Sequence, residues 1–144
     1  MPQPGRGSGE SVGLLIDSSV LIAVERGQLD ADVVTTAAAG DEPVAIAAIT
    51  ASELLHGVHR LGGARRVRAE RMVSGWLDAL PVIPFDLGVA RVHATLAAQH
   101  RRRGRPVGSH DLMIAATAVH LDYRVATQDR RSFARVDGLA VEYW

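Results

Sequence analysis

Four acidic residues stand where short apolar runs give way to polar chain: Asp17, Glu53, Asp111 and Asp129. Asp17 closes the run VGLLID at 12–17, and Glu53 lies in the first turn of a helical pattern that follows the apolar run 44–48. Asp111 sits in the first turn of the Ala-rich stretch 109–121, and Asp129 lies two residues beyond the run 124–127. If the runs are parallel strands, all four carboxylates meet at one edge of the sheet. Carboxylates gathered this way repel one another and raise each other's pKa unless a cation neutralises them. Oxygen donors alone, in a chain without Cys, favour Mg²⁺ or Mn²⁺ over zinc. A hydrated Mg²⁺ on two or three carboxylates leaves positions for a phosphate oxygen and a water. It lowers the pKa of that water and stabilises the leaving oxygen, which is the chemistry of phosphodiester hydrolysis. Helix N-termini at the same edge would add partial positive charge for the phosphate.

Each acid also has a purely structural role open to it. Glu53 follows Thr50 at the spacing of a capping box. Asp17 can cap the first helix, as can Ser18 and Ser19. Asp111 suits a first helical turn, and Asp129 suits a turn before Arg130 and Arg131. Singly these roles suffice; the joint placement at strand ends is what points to a site.

The elements that must position the acids follow from periodicity. Apolar runs at 12–17, 44–48, 81–84, 124–127 and 139–143 read as strands. Helical patterns fall at about 20–26, 29–39, 51–61, 64–80, 86–103 and 109–121, with Leu54, Leu55, Val58 and Leu61 as one apolar face of the third. Strands alternating with helices predict an α/β fold, a three-layer α/β/α sandwich around a mainly parallel sheet. Such sheets bind ligands beyond the carboxyl ends of their strands. A chain of 144 residues suits one domain, expected over 13–144 behind a disordered leader over 1–12. That leader lacks the apolar core of a signal peptide, and no apolar run approaches the length of a membrane span, so a cytoplasmic protein is expected.

Composition removes other chemistries. All sixteen basic residues are Arg, so a Walker A loop and a Schiff base are excluded for want of Lys. The GRGSG stretch precedes the first strand and cannot serve as a dinucleotide loop. Net charge is zero, which argues against indiscriminate coating of nucleic acid but leaves room for a small basic groove. Arg101, Arg102, Arg103 and Arg105 run toward Asp111 and are the better candidates for an RNA backbone; Arg65, Arg66, Arg68 and Arg71 read as a solvated face. Glu53 and His56 match half of a di-iron pattern whose second half is absent. His56 and His59, three apart, read as ordinary histidines before they read as ligands. His110 beside the pocket could act as an acid or a phosphate contact, but reads first as a simple neighbour.

Four segments resemble the PIN-domain nucleases, specifically the VapC-type toxins of bacterial toxin–antitoxin pairs: LIDSSVLIA (15–23), ITASELLHG (49–57), GSHDLMIAATA (108–118) and RVATQDRRSFARVDGLAVEYW (124–144). The resemblance implies a Mg²⁺-dependent endoribonuclease, with Mn²⁺ able to substitute. Asp17 and Asp111 would be the principal metal ligands, Glu53 and Asp129 would complete the acidic pocket, and Thr127 with the hydroxyl of Ser18 or Ser19 would support them. It also implies a homodimer and a cognate VapB-type antitoxin that blocks the site. The rival expectations are a structure-specific DNA nuclease with the same metal core and a PIN-fold module that binds without catalysis.

Overall fold

The computed structural model describes residues 11–104 and 107–144; the expected leader lies outside this range apart from Ser11 and Val12, and so does Arg105. In chain order the elements are β1 (Gly13–Ile16), α1 (Ser18–Glu25), α2 (Asp32–Ala38), β2 (Val44–Ala47), α3 (Ala48–His59) and α4 (Gly63–Ala79). Then come β3 (Val82–Ile83), α5 (Leu87–Arg103), α6 (Ser109–Leu121), β4 (Tyr123–Thr127), a 3₁₀ turn (Phe133–Arg135) and β5 (Val141–Tyr143). The strands form one sheet in the order β3-β2-β1-β4-β5, and every pairing is parallel. The expected α/β/α sandwich is the fold observed.

The inner strands β1 and β2 are buried on both faces, as in parallel sheets generally, while the edge strands β3 and β5 are partly exposed. Because side chains alternate along a strand, each central strand feeds two cores. Leu14 and Ile16 of β1, Val44 and Ile46 of β2 and Ala126 of β4 pack with Val20, Leu21, Leu54, Val58 and Val73 of α1, α3 and α4. Leu15, Ala45, Ala47 and Val125 pack on the other face with Val89, Leu96, Leu112, Ile114 and Phe133. α6 is buried over most of its circumference, and its run Ile114–Ala115–Ala116–Thr117–Ala118 is what lets it lie close to the sheet. It ends at Asp122, which adopts the left-handed conformation (φ 61°) that Asp tolerates better than most residues, and β4 starts at once.

Two local expectations are corrected. Leu55 is 44% exposed and does not share the apolar face of Leu54 and Val58. β2 runs straight into α3 with Ala47 at the N-cap position and no side-chain cap, so the helix begins before Thr50. Thr50 therefore lies inside the first turn, its buried hydroxyl without a hydrogen-bond partner, and there is no capping box. Among the described residues no helix is long and apolar enough to cross a membrane.

Arg124 of β4 links the segment leading into β2 to the edge strand β5. Its Nη1 and Nη2 donate to the two carboxylate oxygens of Glu42 at 2.8 and 2.6 Å, and its Nε donates to Glu142 at 2.8 Å. The indole Nε1 of Trp144 donates to the other oxygen of Glu142 at 2.6 Å. Hydrogen bonding from Arg124 holds Glu42 below its ordinary pKa of 4.5, and bonding from Trp144 and then Arg124 does the same for Glu142. Both carboxylates are more than a third exposed, so solvent screens much of this. Replacing Arg124 by Ala should destabilise the domain by about 1–2 kcal/mol at pH 7. Groups with depressed folded pKa stabilise above their unfolded value and lose that contribution as pH falls through the folded one. Chemical denaturation should therefore show the wild-type advantage at pH 7 and its disappearance below the ordinary glutamate range.

Candidate active site

Strand order sets where a crevice can form. From β1 the chain crosses to β2 and β3 on one side, and then returns to place β4 and β5 on the other. The gap beyond the carboxyl ends of β1 and β4 is thus the topological switch point, where open parallel sheets bind ligands. Asp17 directly follows β1, Thr127 ends β4, and the two side chains meet there.

Asp17 is the N-cap residue of α1; its carboxylate faces the Ser19 amide but falls short of a well-formed cap bond. Its amide donates to the carbonyl of Ala126 at 2.9 Å, extending the β1–β4 ladder by one residue. Its Oδ2 accepts from Ser19 Oγ at 2.7 Å and from Thr127 Oγ1 at 2.8 Å. Thr127, fully buried, also accepts from the amide of Asp129 at 2.9 Å, and Ser19 accepts from the amide of Gln128 at 3.0 Å. The supporting hydroxyls are thus those of Thr127 and Ser19. Ser18, also expected in this role, is buried but makes no described bond to Asp17. Asp17 itself is only 3% exposed, and its second oxygen, Oδ1, is buried without a hydrogen-bond partner.

Asp111 enters from α6, whose N-terminus lies at this edge because the helix runs back to the start of β4. Burial raises its pKa, Ser132 lowers it by donating a hydroxyl hydrogen bond, and the charges of Asp17, Asp129 and Glu53 raise it further. Asp17 is raised too, first by burial and in part by the charge of Glu53, against the hydroxyl bonds that favour its ionised form. Glu53 is the sixth residue of α3, a turn deeper than expected, with one oxygen buried and unpartnered and the other 3.0 Å from His110 Nδ1. Asp129 departs from the others. Its Oδ1 accepts from the amides of Arg131 at 2.8 Å and Ser132 at 3.2 Å, and these bonds hold its pKa below the ordinary value. Asp111 thus feels the charge of the other three acids, and Asp17 feels that of Glu53.

Two contacts of this surrounding shell are not read from the sequence, although His110 is set beside the pocket there. Ser132 reaches Asp111 and Asp129 with its hydroxyl, and His110 contacts Glu53. The signal that would find them is spatial: Ser132 is placed by the 3₁₀ turn that seats Phe133 in the core. His56 and His59, read from the sequence as ordinary histidines, both lie exposed on α3. His59 Nδ1 is 3.2 Å from an Arg66 guanidinium nitrogen. Arg101, Arg102 and Arg103 form the last turn of α5, where they complement the helix dipole, and Arg103 pairs with Asp137.

Among the described residues no group of three or more His, Asp or Glu side chains stands ready to hold a metal ion, so there is no closed cage. The donor set nevertheless fits a hydrated divalent cation. Unpartnered buried oxygens on Asp17 and Glu53 are acceptors awaiting a positive partner, and Asp111 is strained by like charge. Mg²⁺ keeps several waters and is commonly held by one or two carboxylates, so a closed cage is not required.

The sequence pattern of the PIN domain matches residues 14–139, and the chain belongs to that family. Its relatives there include VapC ribonucleases. Ribonuclease VapC1 of Rickettsia felis is 30% identical over 131 residues, covering 90% of this chain and 95% of its own. The tRNA(fMet)-specific endonuclease VapC of Shigella flexneri is 32% identical over 99 residues, 69% of this chain and 74% of that protein. The DNA-bound VapBC structure of Salmonella typhimurium superposes with a TM-score of 0.81 at 25% identity, over 92% of this chain and 98% of the other.

A carboxylate whose folded pKa is raised stabilises the fold only below its unfolded value, and that contribution is lost as pH rises through the folded one. At pH 7 in metal-free buffer, Asp111→Asn should therefore melt about 2–4 °C above wild type, with the gap narrowing toward pH 4. Saturating Mn²⁺ should raise the melting temperature of wild type and leave that of the variant unmoved, since only a site-bound ligand stabilises the folded state.

Proposed function

We infer that this chain is the toxin of a type II toxin–antitoxin pair, an endoribonuclease that hydrolyses RNA phosphodiester bonds in the crevice beyond β1 and β4. The observation that carries the reading is the pairing of Asp17 with Thr127 and Ser19 while Asp17 Oδ1 stays buried and bare beside the raised Asp111. Asp17 and Asp111 would hold Mg²⁺, or Mn²⁺ in its place, with Glu53 and Asp129 completing the acidic shell. The bound cation supplies an activated water and neutralises charge at the scissile phosphate. The chain's own contribution is preorganisation. Thr127 and Ser19 fix the carboxylate plane of Asp17, Ser132 restrains Asp111, and burial keeps competing water away. Arg101 and Arg102, at the end of α5 from which the chain leads to α6, would meet an RNA backbone. Cytoplasmic residence and a homodimer belong to the same reading.

Incubating purified protein with total cellular RNA tests it. Discrete fragments should form with Mg²⁺ or Mn²⁺, vanish with EDTA, and fall at least about 10²-fold in folded Asp17→Asn and Asp111→Asn. Retained cleavage in both variants would sink the assignment of the acids. Single-stranded DNA cut as fast as RNA would sink the substrate class.

Relatives of known structure include VapBC complexes, and a cognate VapB-type antitoxin is the partner we propose. Its seat is a cavity of about 330 Å³ between α1, α3 and α4, lined by Ile22, Leu54 and Val58 and also by Glu53. An apolar peptide segment would bury there, and a cationic side chain beside it would reach the acids. Gly57 of α3 lines this cavity and faces open space. Gly57→Leu should stabilise α3 by about 0.5–1 kcal/mol and plug the cavity. Titration with the cognate antitoxin should then show at least about tenfold weaker binding, roughly 1.4 kcal/mol; unchanged affinity would move the seat elsewhere.

A further inference from the structure

His110 is the second residue of α6, one before Asp111, and its side chain is half exposed. Its Nδ1 lies 3.0 Å from Oε2 of Glu53, 57 positions away on α3. The carboxylate can only accept, so Nδ1 carries the hydrogen. It does so in the imidazolium and in one neutral tautomer alike, and the bond does not depend on the charge of the ring.

Glu53 needs such an anchor. Three rotatable bonds connect its carboxylate to α3, and the charges of Asp17 and Asp111 push it away from the crevice. Its other oxygen, Oε1, is nonetheless buried and unpartnered. No other described side chain bonds the carboxylate of Glu53. We propose that His110 is a positioning residue of the metal site: by holding Oε2 it keeps Oε1 of Glu53 turned inward, and it locks α3 to α6 beside Asp111. Groups that orient a ligand in this way commonly change metal affinity by about 10–100-fold when removed.

The assignment rests on reading the acids as a metal centre, and Mn²⁺ titration of the full chain without RNA separates the two. His110→Ala should weaken Mn²⁺ binding about tenfold with the melting temperature of the metal-free protein little changed. His110→Asn, whose amide nitrogen occupies the place of Nδ1, should recover most of that loss, and His110→Gln should not. In a Glu53→Ala background, His110→Ala should add nothing, because the residue it positions is gone. Wild-type affinity in His110→Ala, or the same loss with and without Glu53, overturns the role of His110 while leaving the metal centre standing. A wild-type protein that binds no Mn²⁺ overturns the metal centre and this role together.

Discussion

A carboxylate buried to 3% exposure at the end of the central strand is the constraint that organises this molecule. An ionised group so placed is tolerated only if hydrogen-bonded, and Asp17 is bonded through one oxygen alone. Both donors come from elements fixed by the sheet. Ser19 rides on the first turn of the helix that leaves β1, and Thr127 is the last residue of β4, 110 positions along the chain. Parallel pairing of β1 with β4 is therefore a condition for the polar cluster as well as a consequence of burying Leu15, Ile16, Val125 and Ala126. If the register slipped by one residue, Thr127 would turn to the opposite face and Asp17 would lose a donor.

The remaining acids arrive by the same logic. Helices that pack antiparallel to their strands begin at the carboxyl edge, so residues in the opening turns of α3 and α6 reach the crevice from both layers. Each layer rests on its own apolar core, and the crevice lies where the two layers meet above the sheet. Asp129 belongs to a turn instead of a helix, and the turn's own amides keep it ionised. The site thus holds two acids raised by burial and crowding, Asp17 and Asp111, beside one lowered by backbone donors. That asymmetry follows from position: the raised pair sits against the sheet, and the lowered acid sits on the rim.

Much of this was legible in the sequence because its signals are local. Alternating or continuous apolar runs mark the central strands, and a carboxylate immediately after a run, as at Asp17, reads directly as a residue at a strand end. α6 was bounded correctly, since Gly108 and the Ala-rich run delimit it. What escaped depends on contacts remote in sequence or on missing punctuation. Nothing marks the start of α3, where Ala47 passes to Ala48 without a cap, and the Thr50–Glu53 spacing imitated a signal the helix does not use. Ser18 and Ser19 are equivalent by type; only the pitch of α1 selects Ser19. Ser132 and the contact of His110 with Glu53 need the packed layers before they exist.

Unpartnered oxygens and crowded charge are costs carried by the free protein, and they say what must fill the crevice. Apolar substrates or neutral ligands would deepen the desolvation of Asp17 without neutralising it. Positive charge relieves the same strain whether it arrives as a hydrated cation or as a guanidinium. On the proposed reading those two occupants compete for one set of oxygens: catalysis requires the first, and an antitoxin that delivers the second would silence the site while stabilising the fold. The cavity between α1, α3 and α4, lined in part by Glu53, gives such a segment a hydrophobic hold, so inhibition need not rest on the exposed charge alone.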